Sequence, residues 1–529
     1  MRNKKLQVWL PLIFSVVLVC GMFFGFKLHQ QTGGNNFFKI SGRSSLQEAL
    51  DLIKTRYVDS IRVDSLQGNA MEGIMSHLDP HSVYISASDL SEANEDIVGN
   101  FEGIGVEFNI FRDTVHVLYV VPNGPSDKAG LQIGDRIIAV DDSSIVSKTL
   151  PSSAIRRMIR GKAGTEVKLL LVRHGQLTII PVRRGTIPIP SLDAAYMLDS
   201  ATGYIKLNKF SEQTYKEFMG AMDSLKAKGM KALVLDLRGN GGGLVDQAVA
   251  LADEFLDGDK MVVYTQGSNS RRREYRAQKD GVFEQGKLAV LIDELSASAS
   301  EILAGALQDW DRATVVGRRS FGKGLVQEQY TLSDGSAIRL TVSRYFTPSG
   351  RSIQRPYDKG KKVYMEELLE RYHNGEMINP DSVHSNKSQM FKTQAGRTVY
   401  GGGGIMPDVF VPMDTGSYSH NITRLYLDGR FNNFVYQYYI THLPLWRQYK
   451  TPEAFAQRYQ NSEDAWQELV AYAQKDSINL KNIPARDKAV VQDRIKAYLA
   501  RFKWRTQGFY EVANSSDETV AKARAALKQ

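Results

Sequence analysis

Apolar residues change their spacing several times along this chain of 529 residues. From residue 46 to about residue 90 they recur at intervals of three and four, which predicts helices, for example at residues 46–57. Residues 101–184 instead alternate apolar with polar positions in short stretches separated by Gly, Pro and Asp turns, which predicts a β-rich module. Its predicted strands are residues 104–108, 115–121, 136–140, 167–172 and 178–182, and its predicted helix is residues 152–160.

From residue 202 to residue 347 the pattern becomes strand, helix, strand. The predicted strands are residues 203–207, 232–237, 288–292 and 314–316, and the predicted helices are residues 214–228, 245–256 and 299–309. Because these strands are almost continuously apolar and alternate with helices, they predict a sheet that is buried on both faces. After residue 404 the chain is largely helical, and we expect its aromatic-rich stretch at residues 431–446 to form core.

The N-terminus contains a further apolar run. Residues 6–26 carry no charge, which is about the length needed to cross a bilayer as a helix. Basic residues precede this run at Arg2, Lys4 and Lys5, and this favours a cytoplasmic N-terminus with the bulk of the chain outside. A cleaved signal peptide is the alternative, but no small-x-small site follows directly. A lipoprotein signal at Cys20 is disfavoured because Val19 stands where a small residue is required.

Composition removes several classes of function. The chain is 42% hydrophobic and 24% charged, as in ordinary globular proteins, with a net charge of +9. Its tightest basic group, the three arginines at residues 271–273, lies in a polar stretch that we interpret as a solvated loop, so nucleic-acid binding is not expected. Cys20 is the single cysteine, which excludes an internal disulfide and a multi-cysteine metal site.

Three polar or glycine-rich turns follow predicted strands or neighbour them. The first, Ser-Ala-Ser-Ala-Ser-Glu at residues 296–301, opens a predicted helix and directs its first N–H groups at whatever binds there. An ordinary serine N-cap explains these six residues equally well. The second, Asp-Leu-Arg-Gly-Asn-Gly-Gly-Gly at residues 236–243, follows the most apolar strand. So many glycines indicate close approach of backbone to a ligand, and two such turns could each give a donor to one oxyanion hole.

The third turn places Lys323 between two glycines, where desolvation would lower its pKa and allow it to act as a general base. Residues 317–323 also match the start of a phosphate-binding P-loop, but Gly324 stands where Ser or Thr is required and the next residues predict a strand. The histidines include no His-Glu-x-x-His pair, and His77 and His81 flank an Asp-Pro turn without an obvious third metal ligand. We therefore expect no metal and no cofactor.

In order, these motifs resemble the C-terminal processing peptidases, also called tail-specific proteases. The resemblance rests on Asp-Leu-Arg-Gly-Asn-Gly-Gly-Gly, Ser-Ala-Ser-Ala-Ser-Glu-Ile, Phe-Gly-Lys-Gly-x-Val-Gln and Gly-Ile-Met-Pro-Asp at residues 404–408. It implies Ser298 as nucleophile, Lys323 as general base and Gln327 as the residue that orients the lysine. It also implies oxyanion donors at the N–H groups of Ala299 and Gly242, the glycine being uncertain by one position. Gly241 stands where many relatives have proline, which loosens the loop but removes no catalytic group.

The β-rich module resembles a PDZ domain, because Gly103-Ile104-Gly105-Val106 precedes Val-Pro-Asn-Gly-Pro-Ser at residues 121–126 and Gly-Asp-Arg-Ile-Ile at residues 134–138. In the family this domain binds the free C-terminus of a protein substrate, so the amides of residues 103–106 are expected to receive a terminal carboxylate while the peptide adds a strand. The resemblance implies a serine endopeptidase that cleaves proteins near their C-termini. The rival hypothesis is an inactive scaffold with a PDZ domain on the same fold.

The expected fold is α/β and multidomain. It comprises a cytoplasmic tail and transmembrane helix (residues 1–30), a linker and helical segment (31–100), the PDZ domain (101–184), an α/β peptidase core with a mixed sheet (185–415) and a largely helical C-terminal region (416–529). The expected location is the bacterial inner membrane, with the bulk of the chain in the periplasm. Expected partners are protein or peptide substrates, the membrane, and an adaptor protein or a second copy of the chain.

Overall fold

The computed structural model describes residues 9, 14–23, 45–61, 63–111, 113–146, 150–379, 382, 389–414, 419–460 and 462–528. The chain divides into two compact units, Met1–Ile74 and Met75–Gln529.

The first unit is helical where it is described. Residues 14–23 are helical and exposed, and α1 (Ser45–Arg56) and α2 (Val63–Ser76) follow. In α1, Glu48 lies in the first turn and Lys54 and Arg56 lie in the last, which suits the helix dipole. Among the described residues, no helix has both the length and the apolar character needed to span a bilayer. The predicted anchor at residues 6–26 lies partly outside the described residues.

The second unit begins with β1 (Val83–Ile85) and α3 (Leu90–Val98), which lead into the β-rich module. The module's elements are β2 (Asn100–Gly103), β3 (Val106–Phe111), β4 (Thr114–Val120), α4 (Pro125–Lys128), β5 (Arg136–Val140), β6 (Ser143–Ser144), α5 (Ser152–Ile159), β7 (Glu166–Arg173), β8 (Gln176–Arg183) and β9 (Gly185–Pro188). An antiparallel sheet in the order β3-β4-β5-β7-β8 carries β6 on β5. The predicted strands and helix are confirmed, with β2 and β9 paired where the chain enters and leaves the module.

The next elements are β10 (Leu192–Met197), β11 (Thr202–Leu207), α6 (Thr214–Ala227), β12 (Ala232–Asp236), α7 (Val245–Asp253), β13 (Met261–Gln266), β14 (Arg273–Arg276), β15 (Lys287–Ile292), α8 (Ala299–Asp309), β16 (Thr314–Gly317), β17 (Leu325–Thr331), β18 (Ala337–Phe346), α9 (Lys361–His373), β19 (Met390–Lys392), β20 (Thr398–Tyr400) and β21 (Val409–Phe410). One sheet has the order β10-β11-β12-β15-β16-β21. Its β10–β11 pair is antiparallel and the remaining pairs are parallel, so the predicted mixed sheet is confirmed.

The second sheet of this region is antiparallel, in the order β1-β18-β13-β14 with β17 on β18. In the mixed sheet, alternate residues face opposite layers, as strand geometry requires. Leu235 packs with the cluster that contains α6, α7 and α8, whereas Val234 packs with the opposite cluster. Both faces of the sheet are therefore covered.

The C-terminal region is helical, as predicted. It consists of α10 (His420–Leu427), α11 (Arg430–Thr441), α12 (Leu443–Trp446), α13 (Pro452–Arg458), α14 (Ser462–Gln474), α15 (Ala485–Ala513) and α16 (Glu518–Ala526). The aromatic-rich stretch at residues 431–446 lies in the buried core of helices α10–α15, which confirms that prediction. The last helix belongs elsewhere, because Val520 and Ala523 of α16 are buried against the mixed sheet on the face opposite α8. The end of the chain thus completes the core of the preceding region.

Candidate active site

Ser298 lies in the turn between β15 and α8, at the N-cap position of the helix. Its backbone has φ 55° and ψ −114°, a conformation that serine seldom adopts. The N–H of Ser298 donates to Glu301 Oε2 at 2.9 Å, which holds this turn. Backbone strain of this kind persists where neighbouring contacts enforce it, and it is frequent at functional sites. The N-cap position and a functional role are therefore compatible.

The hydroxyls of the three clustered serines have different surroundings. Ser296 Oγ donates to Leu237 O at 2.8 Å, and Ser300 Oγ donates to Asn240 O at 2.9 Å. Both of these side chains are fully buried. Ser298 is only partly buried and lines a cleft of about 740 Å³. Of the three serines, Ser298 is the one that faces the cleft.

The glycine-rich turn after β12 approaches the Ser298 turn closely. Gly242 has φ 96°, and a Cβ at this position would lie 2.6 Å from Ala297 O and 2.7 Å from Ser298 Cβ. A side chain cannot be placed there without displacing the Ser298 turn, so only glycine fits. A Cβ at the neighbouring Gly241 would meet nothing within 4 Å. Gly242 is therefore the glycine that packs against the Ser298 turn, and the predicted approach of this backbone to a ligand stays a prediction.

The two N–H groups expected to form an oxyanion hole differ in their hydrogen bonding. Within the described ranges, no acceptor takes the N–H of Ala299, which opens α8. The N–H of Gly242 instead donates to Asn240 Oδ1 at 2.9 Å. Asn240 is itself buried and donates to Leu207 O at 3.1 Å. The Ala299 donor is free to bind an oxyanion, whereas Gly242 must first release Asn240.

Lys323 lies in the loop before β17, and its Nζ donates to Gln327 Oε1 at 3.0 Å. Burial lowers the pKa of Lys323, although the negative charges of Glu301 and Asp79 oppose this shift. Across the part of the chain that is described, no hydrogen bond joins Lys323 Nζ to Ser298 Oγ; both residues line the same cleft. The strand that follows Lys323 is β17, which is the feature that argued against a P-loop.

Gln327 is fixed from the other side by His81, whose main-chain carbonyl accepts a hydrogen bond from Gln327 Nε2. The His81 turn is stabilised by Asp79, whose Oδ1 accepts the N–H of His81 at 2.8 Å and that of Ser82 at 2.9 Å. Burial and the charge of Lys323 lower the pKa of His81 to about 4, so its ring is neutral near pH 7. The described residues contain no group of His, Cys, Asp and Glu able to hold a metal ion. The N–H of His81 is part of the turn that Asp79 stabilises.

Glu301 is a residue of the site to which the sequence analysis gave no role. Its buried carboxylate accepts the N–H of Ser298 and of Lys323 at 2.9 Å each through Oε2, and the N–H of Gly322 at 2.8 Å through Oε1. Ser320 Oγ donates to Oε1 at 2.5 Å. Burial raises the pKa of Glu301 to about 7, against the effect of these hydrogen bonds. The available signal was the Ser-x-x-Glu spacing of a capping box.

Two further residues were missed because they come from distant segments. Tyr345 Oη lies 2.6 Å from Lys323 O and 3.2 Å from Ser298 O, so it contacts both catalytic candidates. The guanidinium of Arg355 packs on the rings of both Phe321 and Tyr364, at 4.0 and 3.9 Å from their centroids. These contacts stabilise the loop that carries Lys323.

The Asp-Leu-Arg part of the glycine-rich motif is structural. Asp236 is fully buried and accepts from Arg238 Nη2 at 2.6 Å and from Tyr204 Oη at 2.7 Å. Burial alone would raise the pKa of Asp236, but the charges of Arg238 and Lys206 lower it overall. Arg238 also donates to Asp517 at 2.8 Å, immediately before α16. The motif therefore ties the turn to the end of the chain.

The four residues predicted to bind a substrate tail lie apart from this cleft. Gly103 ends β2 and Val106 opens β3, while the carbonyls of Ile104 and Gly105 accept the N–H groups of Ser126 and Val121. Within the described ranges, no acceptor takes the N–H of Ile104 or of Gly105. None of the four residues lines the cleft that contains Ser298.

Comparison with known proteins identifies the family of the chain. A model described as peptidase family S41 matches residues 201–359, and a PDZ domain model matches residues 116–173. Carboxy-terminal processing protease CtpA of Bacillus subtilis is 33% identical over 357 residues, which cover 67% of this chain and 74% of the relative. The chain belongs to the carboxy-terminal processing proteases of peptidase family S41. It is a serine-type endopeptidase with a PDZ domain.

A second relative of this S41 peptidase is the carboxy-terminal-processing protease of Bartonella bacilliformis, 36% identical over 313 residues, or 58% of this chain and 71% of the relative. Among solved structures, the photosystem II D1 C-terminal processing protease is 26% identical and covers 70% of this chain and 88% of its own, with a TM-score of 0.36. Residues 421–505 match a family of unknown function.

Proposed function

We propose that this S41 peptidase cleaves protein substrates near their C-termini with Ser298 as nucleophile and Lys323 as general base. Neutral Lys323 takes the proton of Ser298 Oγ as the oxygen attacks the peptide carbonyl carbon. The N–H of Ala299 and that of Gly242, once Gly242 has released Asn240, hold the resulting oxyanion, and Gln327 keeps the lysine in position. The protonated lysine then gives its proton to the leaving amine, and water hydrolyses the acyl-enzyme.

One observation supports this assignment above the others. Ser296 and Ser300 use their hydroxyls to bind main-chain carbonyls, while Ser298 faces the cleft that Lys323 and Gln327 also line. Desolvation of Lys323 suits a base, because it favours the neutral amine.

A matched pair of variants tests the nucleophile. Ser298→Ala should lose fluorophosphonate labelling and peptide cleavage, whereas Ser300→Ala should keep both, because its hydroxyl faces main chain and not the cleft. Equal activity of wild type and Ser298→Ala would overturn the peptidase mechanism. A wild-type chain that neither labels nor cleaves would support the inactive-scaffold alternative.

We also propose that the PDZ domain binds the free C-terminus of the substrate at residues 103–106. The unengaged N–H groups of Ile104 and Gly105 support this, since a terminal carboxylate can accept them while the peptide adds to the open edge of β3. Amidation of the C-terminal carboxylate of a peptide substrate should then weaken its binding. Equal binding of the free and the amidated peptide would contradict the proposal.

The remaining proposals concern location, partners and domain limits. The basic residues before the uncharged run at residues 6–26 support a single-pass anchor in the bacterial inner membrane, with the peptidase in the periplasm and the domain limits given above. Alkaline phosphatase fused after residue 45 should be active, and after residue 5 inactive; the reverse result would exclude this orientation. An adaptor protein or a second copy of the chain is the further partner that we propose.

A further inference from the structure

The helices between the end of the mixed sheet and α16 have no part in the proposed chemistry. We call residues 420–513, which form α10–α15, the helical module. Apart from residue 461, all of it is described, and it has a buried core of its own. Its main match is to a family whose function is unknown. The contacts of the module with the other domains therefore indicate its function.

The module packs on the PDZ domain through Tyr436, which is buried. Its Oη donates to Val117 O of β4 at 3.2 Å, and its ring lies 4.9 Å from that of Phe111 and 5.7 Å from that of His116. Gly134 of the PDZ domain lies against the module as well, since a Cβ at this position would come within 3.6 Å of Ile440 Cδ1. An apolar contact that includes the buried hydroxyl of Tyr436 therefore joins the helical module to the PDZ domain.

Charged residues extend this contact along β3. Glu107 of the PDZ domain pairs with Arg501 at 3.0 Å and with Arg505 at 2.6 Å, and the Arg505 guanidinium stacks on Tyr119 at 3.6 Å from the ring centroid. Single pairs with this degree of exposure are weak, but two arginines on one carboxylate together with ring stacking favour one orientation.

The module contacts side chains of β3, and the strand also packs with the PDZ core. Glu107 pairs with the module, while Val106 and Phe108 pack with the core of the PDZ domain, although a β-bulge separates Glu107 from Phe108 and Phe108 also lines a cavity beside the module. The outer edge of β3, to which a peptide strand would add, stays unpaired within the described sheet. Docking and tail binding can therefore occur together.

The same helix continues onto the peptidase sheet. At Arg505 the backbone has φ 62° and ψ −155°, which breaks α15. Directly after the break, Thr506 Oγ1 donates to Asp193 O at 2.7 Å, and the Gln507 amide accepts the N–H of Ala195 at 3.2 Å. Arg505, whose side chain pairs with Glu107 of the PDZ domain, is therefore also the residue at which α15 breaks before it contacts β10.

We propose that the helical module is a brace that holds the PDZ domain in one position relative to the active site. This inference rests on the proposed binding of substrate tails by the PDZ domain. A tethered tail raises the local concentration of the scissile segment only if the two sites keep a suitable separation. The brace sets that separation, and it gives the module a function in substrate presentation.

The test uses the full chain with Cys20→Ser, which leaves no native cysteine. Spin labels at Leu177→Cys on β8 and Ser224→Cys on α6, both exposed, report the distance between PDZ domain and core. Arg501→Glu with Arg505→Glu should broaden a narrow distance distribution. It should also lower kcat/KM for a tail-bearing peptide about tenfold, while a short untailed peptide is cleaved as before. Adding Glu107→Arg restores opposite charges and should restore both readouts.

An unchanged distance distribution in the double variant would overturn the brace. A broadened distribution with unchanged preference for tailed substrates would overturn its function in presentation. If wild type itself shows no preference for a tail, tail binding by the PDZ domain is wrong and presentation falls with it. The distance measurement still decides the docking in that case, so the two failures are distinguishable.

Discussion

One carboxylate oxygen of Glu301 accepts the main-chain N–H of Lys323 and that of Ser298, each at 2.9 Å. The lysine loop and the serine turn come from segments 25 residues apart (323 − 298 = 25) and share this single acceptor. Glu301 therefore links the main chain of the proposed base to that of the proposed nucleophile, as Tyr345 does through their carbonyls.

Glu301→Gln should lower kcat about 10²-fold, because an amide group places N–H donors against N–H donors and displaces one of the two loops. KM should change little, since Glu301 does not line the cleft. Glu254→Gln is a matched control: Glu254 is equally buried but bonds Tyr215 and Lys279 outside the cleft. This control should lower thermal stability with kcat of the folded enzyme retained. Equal kcat values in the two variants would refute the positioning role of Glu301.

The pH dependence of kcat/KM should rise from the acid side through neutrality. The proposed mechanism requires two groups to lose a proton: Glu301, whose pKa burial raises to about 7, and Lys323, whose pKa burial lowers from its ordinary value. A proton on Glu301 removes an acceptor, and a proton on Lys323 removes the base, so both act in the same direction. The logarithm of kcat/KM should therefore approach a slope of about two below pH 7, and about one in Glu301→Gln. A wild-type enzyme with full activity near pH 5 would contradict this assignment.

Adjacent glycines offer a controlled test of the close approach between the two turns. Gly242→Ala places a Cβ 2.7 Å from Ser298 Cβ, and its φ of 96° strains any side chain. We expect kcat/KM to fall by about 10² to 10³, the usual cost of a lost oxyanion donor. Gly241→Ala meets nothing within 4 Å and should stay near wild-type activity. Similar losses in both variants would show that flexibility of the loop, and not the contact, is what matters.

Local patterns were sufficient to predict most elements and all three turns of the site. Strand β12, for example, is recognisable because four of its five residues are apolar, and the glycines after it mark its turn. The partners of these turns were not predictable in the same way. Glu301 was visible as a capping residue, but its bonds to Gly322 and Lys323 depend on how two loops meet in space.

Local patterns likewise predicted the C-terminal helices but not what each helix packs against. The sequence predicted a helical region, and the helices are there. Whether a helix packs on its neighbours or on a sheet some 300 residues earlier (523 − 204 = 319 for Ala523 and Tyr204) is set by complementary surfaces that periodicity does not describe. Arg238 and Asp517, which join that helix to the active-site turn, gave no signal as a pair.

Arg355 should act as a positioning residue for Lys323. Its main-chain N–H donates to Gly322 O at 3.1 Å, and its guanidinium packs on the rings of Phe321 and Tyr364. Arg355→Met removes the charge that packs on the rings, and we expect kcat to fall about tenfold or more as the loop loosens. Water entering beside Lys323 should raise its pKa and move the acid limb of the pH profile to higher pH.

Arg355→Lys keeps a cation for the rings and should recover part of the activity. The titrating and charged groups around Lys323 that remain in these variants are Glu301, Asp79, Arg339 and His81. An unshifted profile in Arg355→Met, together with unchanged kcat, would leave Arg355 with a role in folding alone.

The last helix should be needed for the stability of the peptidase core. Val520 of α16 is 1% exposed against the mixed sheet, whereas Lys522 on the same helix faces solvent. Val520→Asp buries an unpaired carboxylate and should lower the free energy of unfolding by about 3–5 kcal/mol. Lys522→Asp should lie within about 0.5 kcal/mol of wild type. Urea unfolding followed by tryptophan fluorescence measures the free energy of unfolding of both variants.

Because Asp517 of the same segment accepts a hydrogen bond from Arg238, Val520→Asp should also reduce kcat before the chain unfolds. A variant that unfolds like Lys522→Asp would show that the sheet does not depend on α16.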